Sequence, residues 1–334
     1  MNQFAKSVLI TALFPLILTA CNKKDEAAAP ATEAPAATAA ATGAEDASCA
    51  TVKFADIGWT DITATTALSS TVLQGLGYKA ESTIASVPIA FAGLKKGQID
   101  TFLGYWSPSM TPIVEPFTKE KAITVLDKPN LVGAKYTLAV PKYAYDAGLK
   151  SFADIGKFTK ELNGKIYGIE PGNDGNKLIA DMISKDAFGL KSFKMVESSE
   201  AGMLTEVSRS VKAKKWIVFL GWAPHPMNVQ QDIVYLSGGD DFFGPNYGEA
   251  KVYTVTSNEL AKRCPNVNKL VTNLEFNVGM ENEVMLPIMD KTNPNEAAKA
   301  WLAKNPATLD AWLAGVNTVD GKPGLEAVKK YLGV

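Results

Sequence analysis

Three tryptophans share one kind of surrounding. Ile57-Gly58-Trp59, Phe102-Leu-Gly-Tyr-Trp106-Ser-Pro108-Ser-Met110 and Phe219-Leu-Gly-Trp222-Ala-Pro224-His-Pro-Met227 each run from an apolar stretch through a glycine to a tryptophan. The last two echo one another along their whole length. In open α/β sheets, ligands bind beyond the carboxyl ends of strands. Three indoles following glycine at such ends therefore predict one aromatic-walled cleft rather than three separate hydrophobic corners. Trp216, Trp301 and Trp312 lack this setting. Trp216 opens an apolar strand, the other two sit beside Leu302 and Leu313 in amphipathic helices, and all three read as core.

The remaining reactive side chains are few. His225 is the one histidine, which excludes a His–His metal site and makes any Ser-His-Asp or Cys-His enzyme depend on a single residue. Arg209 and Arg263 are the only arginines, too few to clamp phosphates or dicarboxylates in bidentate fashion. With 34 basic and 35 acidic residues the net charge is −1, so nucleic acid is not the expected partner. Gly75-Leu-Gly77-Tyr-Lys-Ala80 has dinucleotide-fingerprint spacing but follows a helix, where the phosphate-binding geometry is absent. Asp240-Asp241, flanked by glycines and Phe-Phe-Gly-Pro, reads as a turn, without calcium-loop spacing. Glu170-Pro-Gly-Asn173-Asp-Gly175 lies between a strand and a helix. It reads either as a ligand loop presenting Asn173 or backbone amides, or as a turn with an N-cap. No cofactor is implied.

The elements that must position these residues alternate along the chain. Strands are expected at Thr51–Ile57, Ile99–Leu103, Tyr136–Val140, Lys165–Ile169, Trp216–Leu220 and Val252–Thr256. Helices are expected at 60–76, ended by Gly77, and at 87–96, 174–186, 200–213, 282–291, 295–304 and 307–314. Such alternation predicts an α/β fold with largely parallel sheets. The 334 residues, 46% hydrophobic and 21% charged, suggest about two packed units at roughly 100–200 residues each.

The first twenty residues read as an export signal. Lys6 supplies the positive end, and Val8–Leu18 is an apolar run of eleven residues, short of the ~20 that a spanning helix needs. The run ends in Leu18-Thr19-Ala20-Cys21, which resembles a bacterial lipobox, with a polar Asn22-Lys-Lys-Asp25 tail. Residues 22–48 hold twelve alanines and no larger apolar side chain, so they read as a tether between lipidated Cys21 and a body that starts near Ala50. With Cys21 used by the anchor, Cys49 and Cys264 remain, and in an oxidising compartment such a pair is expected to bond. That bond ties the start of the body to a point far along it. The first and last parts would then share one lobe, with the middle inserted as a second.

Together these features resemble the glycine betaine/choline-binding proteins of ABC transporters, above all the choline-binding branch. The resemblance runs through Asp56-Ile-Gly-Trp59-Thr-Asp61, Gly104-Tyr-Trp106-Ser-Pro108, Tyr136-Thr-Leu-Ala-Val-Pro141, Gly168-Ile-Glu-Pro-Gly-Asn173-Asp-Gly and Gly221-Trp222-Ala-Pro-His-Pro226, and includes the terminal Trp301-Leu and Trp312-Leu helices. It implies a two-lobed, type II-like periplasmic binding protein, each lobe a mixed sheet flanked by helices, with the ligand between lobes. Residues 50–134 and 244–334 would form lobe 1 and residues 135–243 lobe 2, after a signal peptide at 1–20 and a tether at 21–49. By resemblance, Trp59, Trp106, Tyr136 and Trp222 would box a quaternary ammonium, Asp61 would add negative charge, and Asn173 would bind the hydroxyl end. A quaternary ammonium has charge but no N–H donor, so aromatic faces suit it. The implied partners are choline or a related compound, the permease and ATPase of an importer, and a membrane reached only through the lipid anchor. A periplasmic or cell-surface location and a monomer are expected. An enzyme acting on a choline compound would need a nucleophile or cofactor site, and none is visible. An adhesive surface lipoprotein would leave the strand-end aromatic set without a purpose.

Overall fold

The computed structural model describes residues 45–334. The expected signal segment, Cys21 and most of the tether lie outside these residues. The described residues begin just before the expected body. The Glu45 carboxylate accepts from the Tyr78 hydroxyl at 2.9 Å and from the Asn266 backbone N–H, and Cys49 is fully buried in a disulfide with Cys264.

Nine strands make one mixed sheet among the described residues. They are β1 (Thr51–Asp56), β2 (Lys79–Ile84), β3 (Thr101–Ser107), β4 (Ile123–Pro141), β5 (Lys165–Tyr167), β6 (Lys194–Val196), β7 (Phe219–Ala223), β8 (Ile233–Tyr235) and β9 (Glu249–Ser257). Their order is β2-β1-β3-β9-β4-β7-β5-β6, with β8 beside β4. The α/β reading holds, but "largely parallel" needs correction. The β2-β1-β3 block and the β7-β5-β6 block are each parallel, while β9 and β4 run antiparallel to each other and to the strands beside them.

The chain passes between the blocks on β4. Its first part pairs with β9 from Ile123↔Ser257 to Lys135↔Glu249, and its second with β7 from Lys135↔Ala223 to Ala139↔Phe219. The sequence suggested only Tyr136–Val140 here, because Pro129 and Gly133 read as strand breakers. The ladder tolerates them through register shifts around Pro129 and Leu131, with Gly133 at φ +79°. β2 was not foreseen. It is an exposed edge strand, Lys-Ala-Glu-Ser-Thr-Ile, without the apolar alternation that marks a half-buried strand. The expected strand at Trp216–Leu220 sits three residues later, at Phe219–Ala223. The helices Thr111–Lys119, Pro265–Asn273 and Gly324–Leu332 also lie where none was expected.

The first long helix, α1 (Thr60–Gly75), sits under the β1–β3 block and packs against helices Val278–Met289, Pro294–Lys304 and Gly324–Leu332. It is buried on nearly every side although it is rich in Ser and Thr. The cost of burying hydroxyls is offset locally: Thr65, Ser69 and Thr71 each donate to the carbonyl four residues back, at 3.1, 2.8 and 2.8 Å. Trp312 is core, with Nε1 donating to the Glu275 carbonyl at 3.1 Å. Trp301 and Trp216 are half-buried. Trp301 donates to Glu283 at 2.7 Å, and Trp216 packs on Phe158 with ring centres 4.9 Å apart.

Candidate functional site

A small cavity is lined by Trp59, Asp61, Trp106, Tyr136, Ile169, Asp174 and Trp222. The three tryptophans of the repeated motif therefore meet, with Tyr136 between two of them. Tyr136 lies 6.1 Å from Trp106 and 6.3 Å from Trp222, centre to centre, with interplanar angles of 59° and 77°.

Each wall has a local cause. β1 ends at Asp56, and Gly58 at φ +83° turns the chain, a conformation L side chains avoid. Asp56 Oδ1 accepts from the Gly58 N–H at 2.7 Å, and Asp56 Oδ2 from Thr63 Oγ1 at 2.9 Å, which fixes the turn onto α1. Trp59 thus falls at the N-cap position and Asp61 in the first turn. Tyr136 and Trp222 are directly paired across β4 and β7, so their rings stand on one face. Trp106 and Trp222 do not follow their strands, as their motif suggested; they lie inside β3 and β7, close to the carboxyl ends, and each is followed within two residues by a cis peptide bond to proline. The Tyr136 hydroxyl abuts the start of helix Asp174–Ser184. A Cβ on Gly175 would lie 2.0 Å from it, so only glycine admits the ring here.

Asn173 is buried but does not line the cavity. Its Oδ1 caps helix Asp174–Ser184 by accepting from the Asn176 N–H at 2.7 Å, and its Nδ2 donates to the Tyr136 hydroxyl at 3.4 Å. The neighbouring Asp174, which the sequence reading passed over, faces the cavity instead. An acid at the first position of a helix is ordinarily a dipole partner, so its type alone gave no signal.

The charges in this site are unusual. Asp61 and Asp174 are each 2% exposed, and Asp61 Oδ1, both Asp174 carboxyl oxygens and the Trp106 Nε1–H have no hydrogen-bond partner among the described residues. Burial pushes the Asp61 carboxyl well above the usual range, and the nearby Glu200 and Asp56 charges add to that. Burial pushes Asp174 up to about 6. It also raises the Tyr136 phenol, with the Asp174 charge as the next cause. No basic side chain lines the cavity. Two buried, unpartnered carboxyl groups beneath aromatic faces are suited to one kind of occupant, a small cation.

Around the cavity, two further carboxylates reach α1 from the β7-β5-β6 block. Trp59 Nε1 donates to Glu170 Oε1 at 2.9 Å, and the Thr60 N–H donates to Glu200 Oε2 at 2.9 Å. His225 is 1% exposed. Its Nδ1 accepts from the Met227 N–H at 3.0 Å, which leaves the proton on Nε2 facing Glu200 Oε1 at 3.1 Å. Among the described residues there is no cluster of three metal-ligating side chains and no helix long and apolar enough to cross a membrane. Gly77, at φ +90°, closes the end of α1 and takes no part in the cavity.

Known proteins share this fold. An ABC-transporter choline binding protein solved in complex with choline is 52% identical, with a TM-score of 0.85 over 86% of this chain and 100% of that one. An ABC-transporter choline binding protein in an unliganded semi-closed conformation, also 52% identical over the same shares, scores 0.79. Lactococcal OpuAC, closed around glycine betaine, is 26% identical, with a TM-score of 0.71 over 79% of this chain and 99% of that one. An uncharacterized protein of Chromohalobacter salexigens is 51% identical over 130 residues, 39% of this chain and 83% of that protein. The glycine betaine/carnitine transport binding protein GbuC of Listeria monocytogenes is 28% identical over 168 residues, 50% of this chain and 54% of that protein. The fold is that of the two-lobed periplasmic binding proteins. Residues 50–304 match the OpuAC family, the substrate binding domain of ABC-type glycine betaine transport systems, and with more than half its length so matched the chain belongs to that family: it is the extracytoplasmic substrate-binding protein of an ABC importer and not an enzyme.

Proposed function

We propose that this protein captures choline and presents it to the permease and ATPase of its importer. The observation that carries the reading is the pair of buried carboxyl groups with unpartnered oxygens, Asp61 and Asp174, in a cavity otherwise walled by four aromatic rings and Ile169. Trp59, Trp106, Tyr136 and Trp222 would hold the trimethylammonium head. Each ring contributes about 0.5–2 kcal/mol when desolvated. Four supply a large part of the ~8 kcal/mol that micromolar binding requires, and the carboxylates and buried methyl groups supply the rest. Asp61 accepts from the choline hydroxyl or balances its charge. Asn173 steadies Tyr136 and lies next to the cavity wall, within reach of the hydroxyl end if that end settles toward helix Asp174–Ser184.

The lobes follow the two blocks of the sheet. Residues 50–134 and 244–334 carry β2-β1-β3 and β9, and residues 135–243 carry β7-β5-β6 and β8. The chain crosses between them near Lys135 on β4 and just before Glu249 on β9, where the β4–β9 pairing gives way to β4–β7. Trp59, Asp61 and Trp106 come from the first lobe and Tyr136, Asp174 and Trp222 from the second, so occupancy and closure are coupled. Lipidation of Cys21 would hold the protein at a membrane surface.

Glycine betaine is the second reading, favoured by the family description and by the 26% identical glycine betaine complex. Isothermal titration of the purified body with choline, glycine betaine, proline betaine and carnitine decides between them. Choline should bind most tightly; a tighter glycine betaine isotherm would replace it.

A further inference from the structure

Glu200 holds a position that ligand contact does not explain. It starts helix Glu200–Lys212 on the β7-β5-β6 side of the molecule, is 6% exposed, and does not line the cavity. Its side chain reaches 140 positions back in sequence to the start of α1. There one oxygen accepts from the Thr60 backbone N–H at 2.9 Å and the other from the Thr60 hydroxyl. α1 has no side-chain cap of its own at Trp59. The first N–H groups of a helix have no partner within it, so an anion placed there is favoured by both hydrogen bonding and the helix dipole. Glu200 is therefore a cap for α1 supplied from the opposite block. It is itself held by the buried His225 Nε2 at 3.1 Å, and the His225 ring stacks edge-on against Trp222, with centres 4.9 Å apart.

Resting on the lobe assignment above, we infer that Glu200 is a closure latch: it docks on the N-terminus of α1 only when the lobes meet, and fixes Trp59 and Asp61 in the cavity wall without touching the ligand. Opening the cleft would separate Glu200 from Thr60, leaving the Thr60 N–H without its cap and Glu200 with His225 alone. The latch also has a built-in condition. After burial, the Glu200 charge is the largest cause of the raised Asp61 carboxyl, so docking brings a further negative charge toward a cavity already lined by Asp61 and Asp174. A cation in the cavity offsets that repulsion, and a zwitterion offsets less of it. The latch thus favours closure on a filled, positively charged site over closure on an empty one. As a positioning residue, Glu200 should act on ligand release far more than on ligand entry.

Stopped-flow tryptophan fluorescence with choline tests this. Glu200→Ala should raise the release rate about tenfold or more while leaving the association rate within about twofold, since entry precedes docking. Thr60→Val, which removes only the hydroxyl donor, should raise release by about threefold, and the double variant should release no faster than Glu200→Ala alone, because both changes break the same contact. A Glu200→Ala release rate equal to the parent's, or strictly additive effects in the double variant, would overturn the latch. Should Glu200→Ala fail to fold, Glu200→Gln keeps one acceptor for the Thr60 N–H and carries the same measurement with a smaller rise. A parent protein that binds no choline would overturn the ligand reading alone. The latch is then read with glycine betaine as the ligand, where Glu200→Ala must raise the release rate above the parent's; an unchanged rate rejects it.

Discussion

Trp59 Nε1 donates to Glu170 Oε1 at 2.9 Å, so the ring on one side of the cavity is oriented by a carboxylate 111 positions away that does not line it. Burial raises the Glu170 carboxyl, and the hydrogen bond from Trp59 is the largest influence pulling it back down. Glu170→Ala should leave the indole free to rotate and weaken choline binding by about tenfold, the equivalent of ~1.4 kcal/mol, while the thermal midpoint of the ligand-free protein changes little. Glu170→Gln, which still offers an acceptor oxygen, should recover most of that loss. Calorimetry of the two variants checks both statements.

The aromatic walls should dominate affinity. Trp59→Ala, Trp106→Ala and Trp222→Ala each remove a ring and admit water, and each should weaken choline binding by on the order of a hundredfold. Tyr136→Ala should weaken it as well. Trp301, half-buried and bonded to Glu283 far from the cavity lining, serves as the control. Trp301→Ala should lower the thermal midpoint with near-normal affinity in the folded fraction. Normal affinity in two of the three cavity variants would reject the box.

Ligand binding should depend on pH through Asp174. The folded, ligand-free chain holds this carboxyl at about 6 against an ordinary 3.8, because burial disfavours the charged form. Between those values the folded state binds the proton more readily than the unfolded state. This group's contribution to stability is thus present at low pH and is lost as pH rises toward 6. A bound cation reverses the preference by favouring the carboxylate. Choline affinity should therefore rise from pH 4 to pH 7, and binding near pH 6 should release protons. Asp61, raised first by burial as well, should add to the same dependence. Titrations in buffers of different ionisation enthalpy measure the released protons, and Asp174→Asn should reduce them and flatten the profile.

The Cys49–Cys264 bond closes a loop spanning 215 positions and ties the start of the body to the segment before helix Pro265–Asn273. Loop-closure entropy sets a ceiling of about 5 kcal/mol on its contribution. Reduction, or the Cys49→Ser/Cys264→Ser pair, should lower the thermal midpoint while leaving choline affinity within about twofold, because the bond lies outside the cavity lining. Scanning calorimetry with and without reductant checks the first half, and titration the second.

What the sequence made legible was the part with a local signature. Trp59, Trp106 and Trp222 sit in repeated strand–glycine–tryptophan settings, and α1 and helix Asp174–Ser184 carry recognisable stops and caps. What stayed hidden depends on partners distant along the chain. Only the Tyr136–Val140 end of β4 was expected, because its first part, with Pro129 and Gly133, is held by a bulged ladder with β9. Asp174 looks like any first-turn acid until the Tyr136 ring and Ile169 enclose it. Glu200 opens a helix and His225 sits in a Pro-His-Pro turn, and only folding brings Glu200 to both Thr60 and His225. The His225 Nδ1 is taken by Met227 and its Nε2 faces Glu200, so the ring is not free for a ligand.

That placement of His225 decides the last expectation, choline over glycine betaine. The two share a trimethylammonium head and differ in the tail, a hydroxyl against a carboxylate. A buried carboxylate needs cationic donors or several convergent N–H groups. The cavity lining offers no basic side chain and His225 is engaged elsewhere, which leaves only neutral donors such as the Trp106 Nε1–H to meet a carboxylate tail. Against those neutral donors stand two carboxyl groups, Asp61 and Asp174, that disfavour a second anion. A hydroxyl can donate to either acid, so a polar group on each side is satisfied. Choline should bind at least about tenfold more tightly than glycine betaine at neutral pH, a difference of ~1.4 kcal/mol. Asp61→Asn removes both the attraction for the cation and the repulsion of the tail. It should weaken choline, weaken glycine betaine less, and narrow the gap between them. Asp174→Asn should do the same from the opposite wall, and competition titrations on the parent and the two variants measure all three gaps. A gap that stays constant across the three proteins would mean that neither carboxyl group sets the choice of tail.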